Sequence, residues 1–207
     1  MKSDERILKA IPFGSLPTAG SVFWILLGLA VLFVILHPPG PILTSDEAMW
    51  QTTVQKLLHG KVLVRDAAMA KGPYLVLHQY LATVLVGRSA IGLHLIGQLC
   101  VFLTGVLVVA LSYRLAGWLA GVFGGFMFLV ATSQGLAQLG AQAEIIMVLP
   151  ATFGMLCLVL GLHRRSRLLV FLAGFGLMYG GLVKQVIFFD LLGGFIALVI
   201  VSWTVGE

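Results

Sequence analysis

Seven apolar runs, at about 18–36, 73–87, 91–112, 115–133, 145–162, 168–183 and 186–203, alternate with short polar segments along the chain. A helix needs roughly 20 apolar residues to span a bilayer, with about 17 as a lower limit. The 73–87 run is the shortest and carries Tyr74, His78, Gln79 and Tyr80, so it is read apart from the other six. Pro38, Pro39 and Pro41 close the first run, because proline cannot continue a helical hydrogen-bond ladder. Beyond them, Ser45-Asp46-Glu47 predicts the start of a helix that runs to about His59 and stops at Gly60. Ala48, Met49, Thr52, Leu57 and Leu58 form a loose apolar stripe on it, as expected of a helix lying on a membrane surface.

Basic residues decide how these runs thread. If 73–87 crossed, His163-Arg164-Arg165-Ser166-Arg167 would face the side opposite Lys2, Arg6 and Lys9, against the bias that keeps short basic loops inside. If it dips in and returns, Arg114 and 163–167 fall inside, and Asp46, Glu47, Glu144 and Lys184 fall outside. A re-entrant segment is allowed where protein or water satisfies its backbone. The expectation is an all-α polytopic protein with about six transmembrane helices and one partly embedded helix. It forms a single membrane domain over 1–207: a cytoplasmic tail at 1–17, a first span at 18–36, an outer loop at 37–90 with amphipathic and re-entrant helices, and five further spans over 91–203. Both termini are then cytoplasmic. Ser21 to Leu36 leads into His-Pro-Pro-Gly-Pro rather than a small-x-small site, so the first span is expected to stay uncleaved.

Composition agrees with a lipid environment. Hydrophobic residues make up 59% of the 207 and charged residues 10%, too few charges to cover a water-soluble surface. The 25 glycines suit closely packed helices in lipid. The net charge of +5 sits in loops and the N-terminal tail, so it speaks of topology and argues against a nucleic-acid partner. Cys100 and Cys157 lie in apolar runs without metal-like spacing and read as small core residues. His78, His94 and His163 form no ligand pattern. His37 and His59 flank the outer loop and could meet a divalent metal, though no spacing fixes one there and the sequence makes no cofactor certain. No span shows a polar stripe suited to a pathway, and Trp24, Trp118 and Trp203 read as interfacial anchors.

Asp46 and Glu47 are the chain's most informative pair. Read as local structure, they cap a helix and favour its positive end. Read as chemistry, they place a carboxylate at a lipid-water boundary. After Asp-Glu-Ala-Met-Trp come Leu58-His59-Gly60-Lys61-Val62, Val64-Arg65-Asp66, Lys71-Gly72-Pro73-Tyr74 and Gly87-Arg88-Ser89. Later come Arg114-Leu115-Ala116-Gly117, Ala143-Glu144-Ile145 through Leu149-Pro150, and Gly180-Gly181-Leu182-Val183-Lys184-Gln185. This order resembles bacterial membrane glycosyltransferases of the GT-C fold, above all the protein O-mannosyltransferase and aminoarabinose-transferase superfamily, over most of residues 20–190.

The resemblance implies sugar transfer from a polyprenyl-phosphate donor to an acceptor hydroxyl, with inversion, at the outer face of the bacterial inner membrane. It implies that Asp46 is the general base, with Glu47 supporting it and Glu144 completing an acidic site. It makes Arg65, Lys71 and Lys184 candidates to receive the leaving phosphate. Arg65 and Lys71 read equally well as solvated loop charges, and Glu144 as a helix cap. Lys184 lies between two apolar runs, with Asp190 the nearest acid in sequence, and pairing those two would need a break near Gln185. Members of that family run to about twice this length. A non-catalytic transmembrane subunit derived from such an enzyme is therefore the alternative expectation. The lipid bilayer, a lipid-linked sugar donor and another membrane protein chain are the expected partners.

Overall fold

The sequence Thr44-Ser45-Asp46-Glu47 is a capping box, and in the computed structural model it starts a helix at Ser45. This structure describes residues 19–36, 42–66, 72–136, 142–186, 188, 189 and 192. Among the described residues, seven helices follow one another: α1 (Ala19–Leu36), α2 (Ser45–Leu58), α3 (Pro73–Val86), α4 (Ala90–Ala116), α5 (Trp118–Leu136), α6 (Ala143–Arg164) and α7 (Arg167–Val183). The described residues form no sheet. Expected runs and observed helices agree to within a few residues at each end, apart from the 186–203 run, most of which lies outside the described residues.

Two hairpins make the body. α4 and α5 reverse at Gly117, which takes φ +86°, a conformation glycine adopts without a Cβ clash. α6 and α7 reverse through Arg165 and Ser166, and theirs is the most extensive interface in the fold. That interface depends on small residues: a Cβ on Gly176 would fall 2.6 Å from the Pro150 carbonyl oxygen, and one on Gly154 2.8 Å from that of Ala173. α4 packs on α6 through Val101 and Ile145, in a cluster with Leu29, Cys100 and Leu129. The two hairpins therefore present their tight turns at one end, here the turn end, and the N-termini of α4 and α6 with the C-terminus of α7 at the other.

The second end carries a cap. Gly72, just before α3, lies against the last turn of α7, where a Cβ would be 1.9 Å from the Leu182 carbonyl oxygen. The far end of α3 joins α4 through Gly87, Arg88 and Ser89, whose hydroxyl caps α4 by accepting from the Gly92 N–H at 3.0 Å. Ala82 packs on Leu93 and His78 lies beside Cys100, so α3 runs antiparallel along the first half of α4. At about 1.5 Å per residue, the 27 residues of α4 extend about 40 Å, long enough to pass the bundle and support this cap. Both ends of α3 thus belong to the same end of the fold.

α2 covers the cap. Trp50 and Val54 sit with Leu75 and Val76 of α3, Ala143, Ile146 and Met147 of α6, and Val183 of α7. The buried stripe is Glu47, Trp50, Gln51, Thr53 and Val54. This corrects the expected apolar stripe: Ala48, Met49 and Thr52 are exposed, and the helix buries a mixed polar and aromatic face against protein.

Among the described residues, two helices, α4 and α6, are long and apolar enough to cross a membrane. The outward faces are apolar as well: Trp24, Leu119, Phe123, Phe171 and Phe175 are each more than 60% exposed. Such a continuous apolar exterior is foreign to a water-soluble monomer.

Candidate functional site

The cap places the adjacent carboxylates of α2 in opposite environments. Thr44 is the N-cap, so Asp46 is the second helical residue rather than the cap expected from Ser45 or Asp46. Glu47 is turned inward and 1% exposed. Its Oε2 accepts from the Thr44 backbone N–H at 2.8 Å and from the Thr44 hydroxyl at 3.1 Å, while the Glu47 N–H donates to Thr44 Oγ1 at 3.4 Å. The same Oε2 is 3.2 Å from Nε2 of His94, also 1% exposed, on α4. Asp46 is exposed. The T-x-x-E capping signature was present in the sequence and could have located Glu47.

One turn along, Gln51 continues the polar seam. Its Nε2 donates to Gln79 Oε1 at 3.1 Å, and the Thr83 hydroxyl donates to its Oε1 at 3.2 Å and to the Gln79 carbonyl at 2.8 Å. On α4, His94, Gln98 and Thr104 are all buried on the inward side. That row is a packed seam between helices, not the polar stripe suited to a pathway that the sequence was expected to lack. Sequence reasoning missed it because Gln51, Gln79 and His94 are scattered singly, and only the fold brings them together. His78 stands near this seam, with Nδ1 buried and lacking a hydrogen-bond partner among the described residues, and Nε2 4.0 Å from Cys100 Sγ.

Glu144 and Lys184 meet directly. The first turn of α6 and the end of α7 are joined by an ion pair between Glu144 Oε1 and Lys184 Nζ. Lys184 takes an extended conformation at the α7 C-terminus, so the chain does break there, but its partner is Glu144; Asp190 lies outside the described residues. Beside Glu144 is a cavity of about 80 Å³ bordered by Val101, Thr104, Phe128, Thr132 and Val148. It is too small for a sugar and suits one or two waters.

Arg65 is exposed and grips its own neighbour, Nε to Asp66 Oδ1 at 3.0 Å and Nη2 to Oδ2 at 2.9 Å. Asp66 Oδ2 also accepts from the Val62 N–H at 2.8 Å, closing a turn in which Val64 takes φ +74°. The Arg65 guanidinium, and after it the Val62 N–H, hold the Asp66 carboxyl below its usual range. Lys71 lies outside the described residues.

The candidates thus fall into separate groups. Glu47 reaches α4 at His94, while Glu144 lies beside Val101 and Thr104, seven to ten residues further along that helix, or about 10–15 Å at 1.5 Å per residue. No cluster of three or more His, Cys, Asp or Glu residues suited to a metal occurs among the described residues. No family model, no curated protein and no solved structure matches the chain.

Proposed function

We propose that this chain is a GT-C-like membrane glycosyltransferase, or a derivative of one, moving a sugar from a polyprenyl-phosphate donor to an acceptor at the outer face of the bacterial inner membrane. The observation that carries this reading is the division of labour at Asp46-Glu47. Glu47 is pinned inside by Thr44 and His94, which fixes the first turn of α2 and leaves Asp46 exposed on a rigid element. A carboxylate so placed can take the proton of an acceptor hydroxyl as its oxygen attacks the anomeric carbon. The bond from that carbon to the phosphate oxygen breaks, and the phosphate leaves with the electron pair. Of the three candidate cations, Lys184 and Arg65 are among the described residues. Both are engaged by carboxylates, so donor phosphate must displace Glu144 or Asp66 to reach them.

The topology we favour has six spans, with α3 confined to the outer half of the membrane. Its support is that both ends of α3 lie at the cap end, against α7 and α4. Residues 46–66 then face outside and 163–167 inside. In spheroplasts, a membrane-impermeant thiol reagent should leave Ser166→Cys unlabelled until the membrane is opened; labelling in intact spheroplasts reverses the orientation.

Asp46→Asn tests the chemistry. It removes the charge without touching the capping box, so folding should be unchanged, while loss of a general base should cut lipid-linked sugar turnover about 10²–10⁴-fold. Undiminished turnover would remove Asp46 from catalysis. A second reading, a non-catalytic subunit docked to another membrane chain, is favoured by one observation: Glu47–His94, Glu144–Lys184 and Arg65–Asp66 are paired internally. Co-purification with a partner at fixed stoichiometry, without sugar transfer, would select it.

A further inference from the structure

Among the described residues, the turn end carries charges of one sign only. Arg114 closes α4, and His163, Arg164, Arg165 and Arg167 surround the α6–α7 turn. Arg164, Arg165 and Arg167 are exposed. The described carboxylates, Asp46, Glu47, Asp66 and Glu144, all belong to the cap and its loop, and the ion pairs lie there too.

The turn itself is tight. Ser166 N–H donates to the Gly161 carbonyl at 2.9 Å, which requires Arg165 to take the left-handed conformation at φ 51°, ψ 34°. Ser166 then caps α7 through its hydroxyl, which accepts from the Leu169 N–H at 3.4 Å. Between the turn and the start of α7 is an open cavity of about 330 Å³ lined by Gly161, Leu162, Arg165, Ser166, Arg167 and Val170. Two arginines and a serine border it together with Leu162 and Val170, and the wall itself is mostly apolar. At the same turn, Leu162 and Leu168 are 45% and 67% exposed.

We infer that this cavity binds the phosphate of an anionic phospholipid headgroup, with Arg165 and Arg167 on the phosphate and Leu162 and Val170 against the glycerol and first acyl carbons. Guanidinium groups pair with phosphate through two parallel N–H donors, geometry that a lysine lacks. A bias that only oriented the chain would require basic residues but no cavity. The mixed lining, on an end with no described competing carboxylate, accounts for both.

The test is native mass spectrometry of the full chain in detergent, titrated separately with phosphatidylglycerol, phosphatidylcholine and inorganic phosphate. Phosphatidylglycerol should bind about tenfold more tightly than phosphatidylcholine, as expected when two arginines meet one anionic headgroup. Arg165→Gln combined with Arg167→Gln should abolish that preference, and Lys56→Gln, exposed on α2 at the opposite end, should leave it intact. Ser166→Asp should abolish it as well. Because aspartate is itself a good N-cap, that variant keeps α7 started while placing a carboxylate in the cavity, and it decides the matter if the double variant fails to fold. Equal binding of the two lipids to the parent, or a preference surviving Ser166→Asp, overturns the assignment. So does inorganic phosphate binding as tightly as phosphatidylglycerol, which would make a free anion the ligand. Sugar transfer is not read, so either result leaves the glycosyltransferase proposal standing on its own test.

Discussion

Glu47, Glu144 and Asp66 at the cap end each have a basic partner within the chain, whereas Arg114, Arg164, Arg165 and Arg167 at the turn end have no described carboxylate beside them. Burial explains part of this contrast. Glu47, Gln51, Gln79, Thr83 and His94 lie between helices with little or no exposure, and an unpartnered polar group there would keep its full desolvation cost. The arginines of the α6–α7 turn are exposed and carry no such penalty. Internal pairing makes one end rigid; at the other, the described arginines have no described carboxylate partner and can meet something outside the chain. Substitutions at the cap should therefore be felt first in stability, and those at the turns first in lipid binding and orientation.

The sharpest break of that contrast is Glu47→Ala. It removes the capping interaction and takes from His94, buried to 1% exposure, its contact with Glu47, so it should cost about 3–5 kcal/mol, as for other buried pairs deprived of one member. Glu47→Gln keeps an acceptor for the Thr44 N–H and should cost clearly less. Thermal unfolding in detergent reads both. An Ala variant as stable as the parent would mean that the cap does not rest on this seam.

Next in size is Gly72→Ala. The new methyl would enter the Leu182 carbonyl at 1.9 Å, and because that neighbour is backbone, α3 must move off α7. Overpacking of this kind costs about 1–3 kcal/mol. The same change at Gly28, where a Cβ meets nothing within 4 Å, should be neutral in packing and serves as the control. A loss at Gly28 equal to that at Gly72 would show that the docking of α3 is not special.

How much of this was legible beforehand differs between the two ends. The helices were readable because period and length are local properties, and Pro73, Ser89, Gly117 and Ser166 mark boundaries by chemistry that acts within a few residues. The basic turn was equally plain, since charge sign needs no partner to be seen. The cap was harder. That Glu47 turns in and Asp46 out was recoverable from T-x-x-E, but His94 as its partner is 47 residues away, and nothing local selects it. Lys184 was recognised as needing a counter-charge, yet Asp190 is near in sequence whereas Glu144 becomes near only when α6 and α7 fold back on each other. Gly72 looked like part of a motif, and its physical reason, backbone contact with Leu182, belongs entirely to tertiary packing.

The smallest effect is expected where the cap end most resembles the turn end, at the exposed Arg65–Asp66 pair. Asp66 is held below its ordinary value of 3.8 chiefly by Arg65 and then by the Val62 N–H. Because the folded carboxyl titrates below the unfolded one, its contribution is fully present above about pH 4 and is lost as the pH falls through the lower folded value. Solvent screens a pair so exposed, so Asp66→Asn should barely move the unfolding midpoint at pH 7, and the remaining difference should vanish in strong acid. Amide exchange at Val62 should respond more, since that N–H donates to Asp66 and closes the turn containing Val64. If Asp66→Asn instead lowered the midpoint as much as Gly72→Ala does, pairing at the cap end would stabilise the fold even where water reaches it, and burial could no longer explain why the two ends differ.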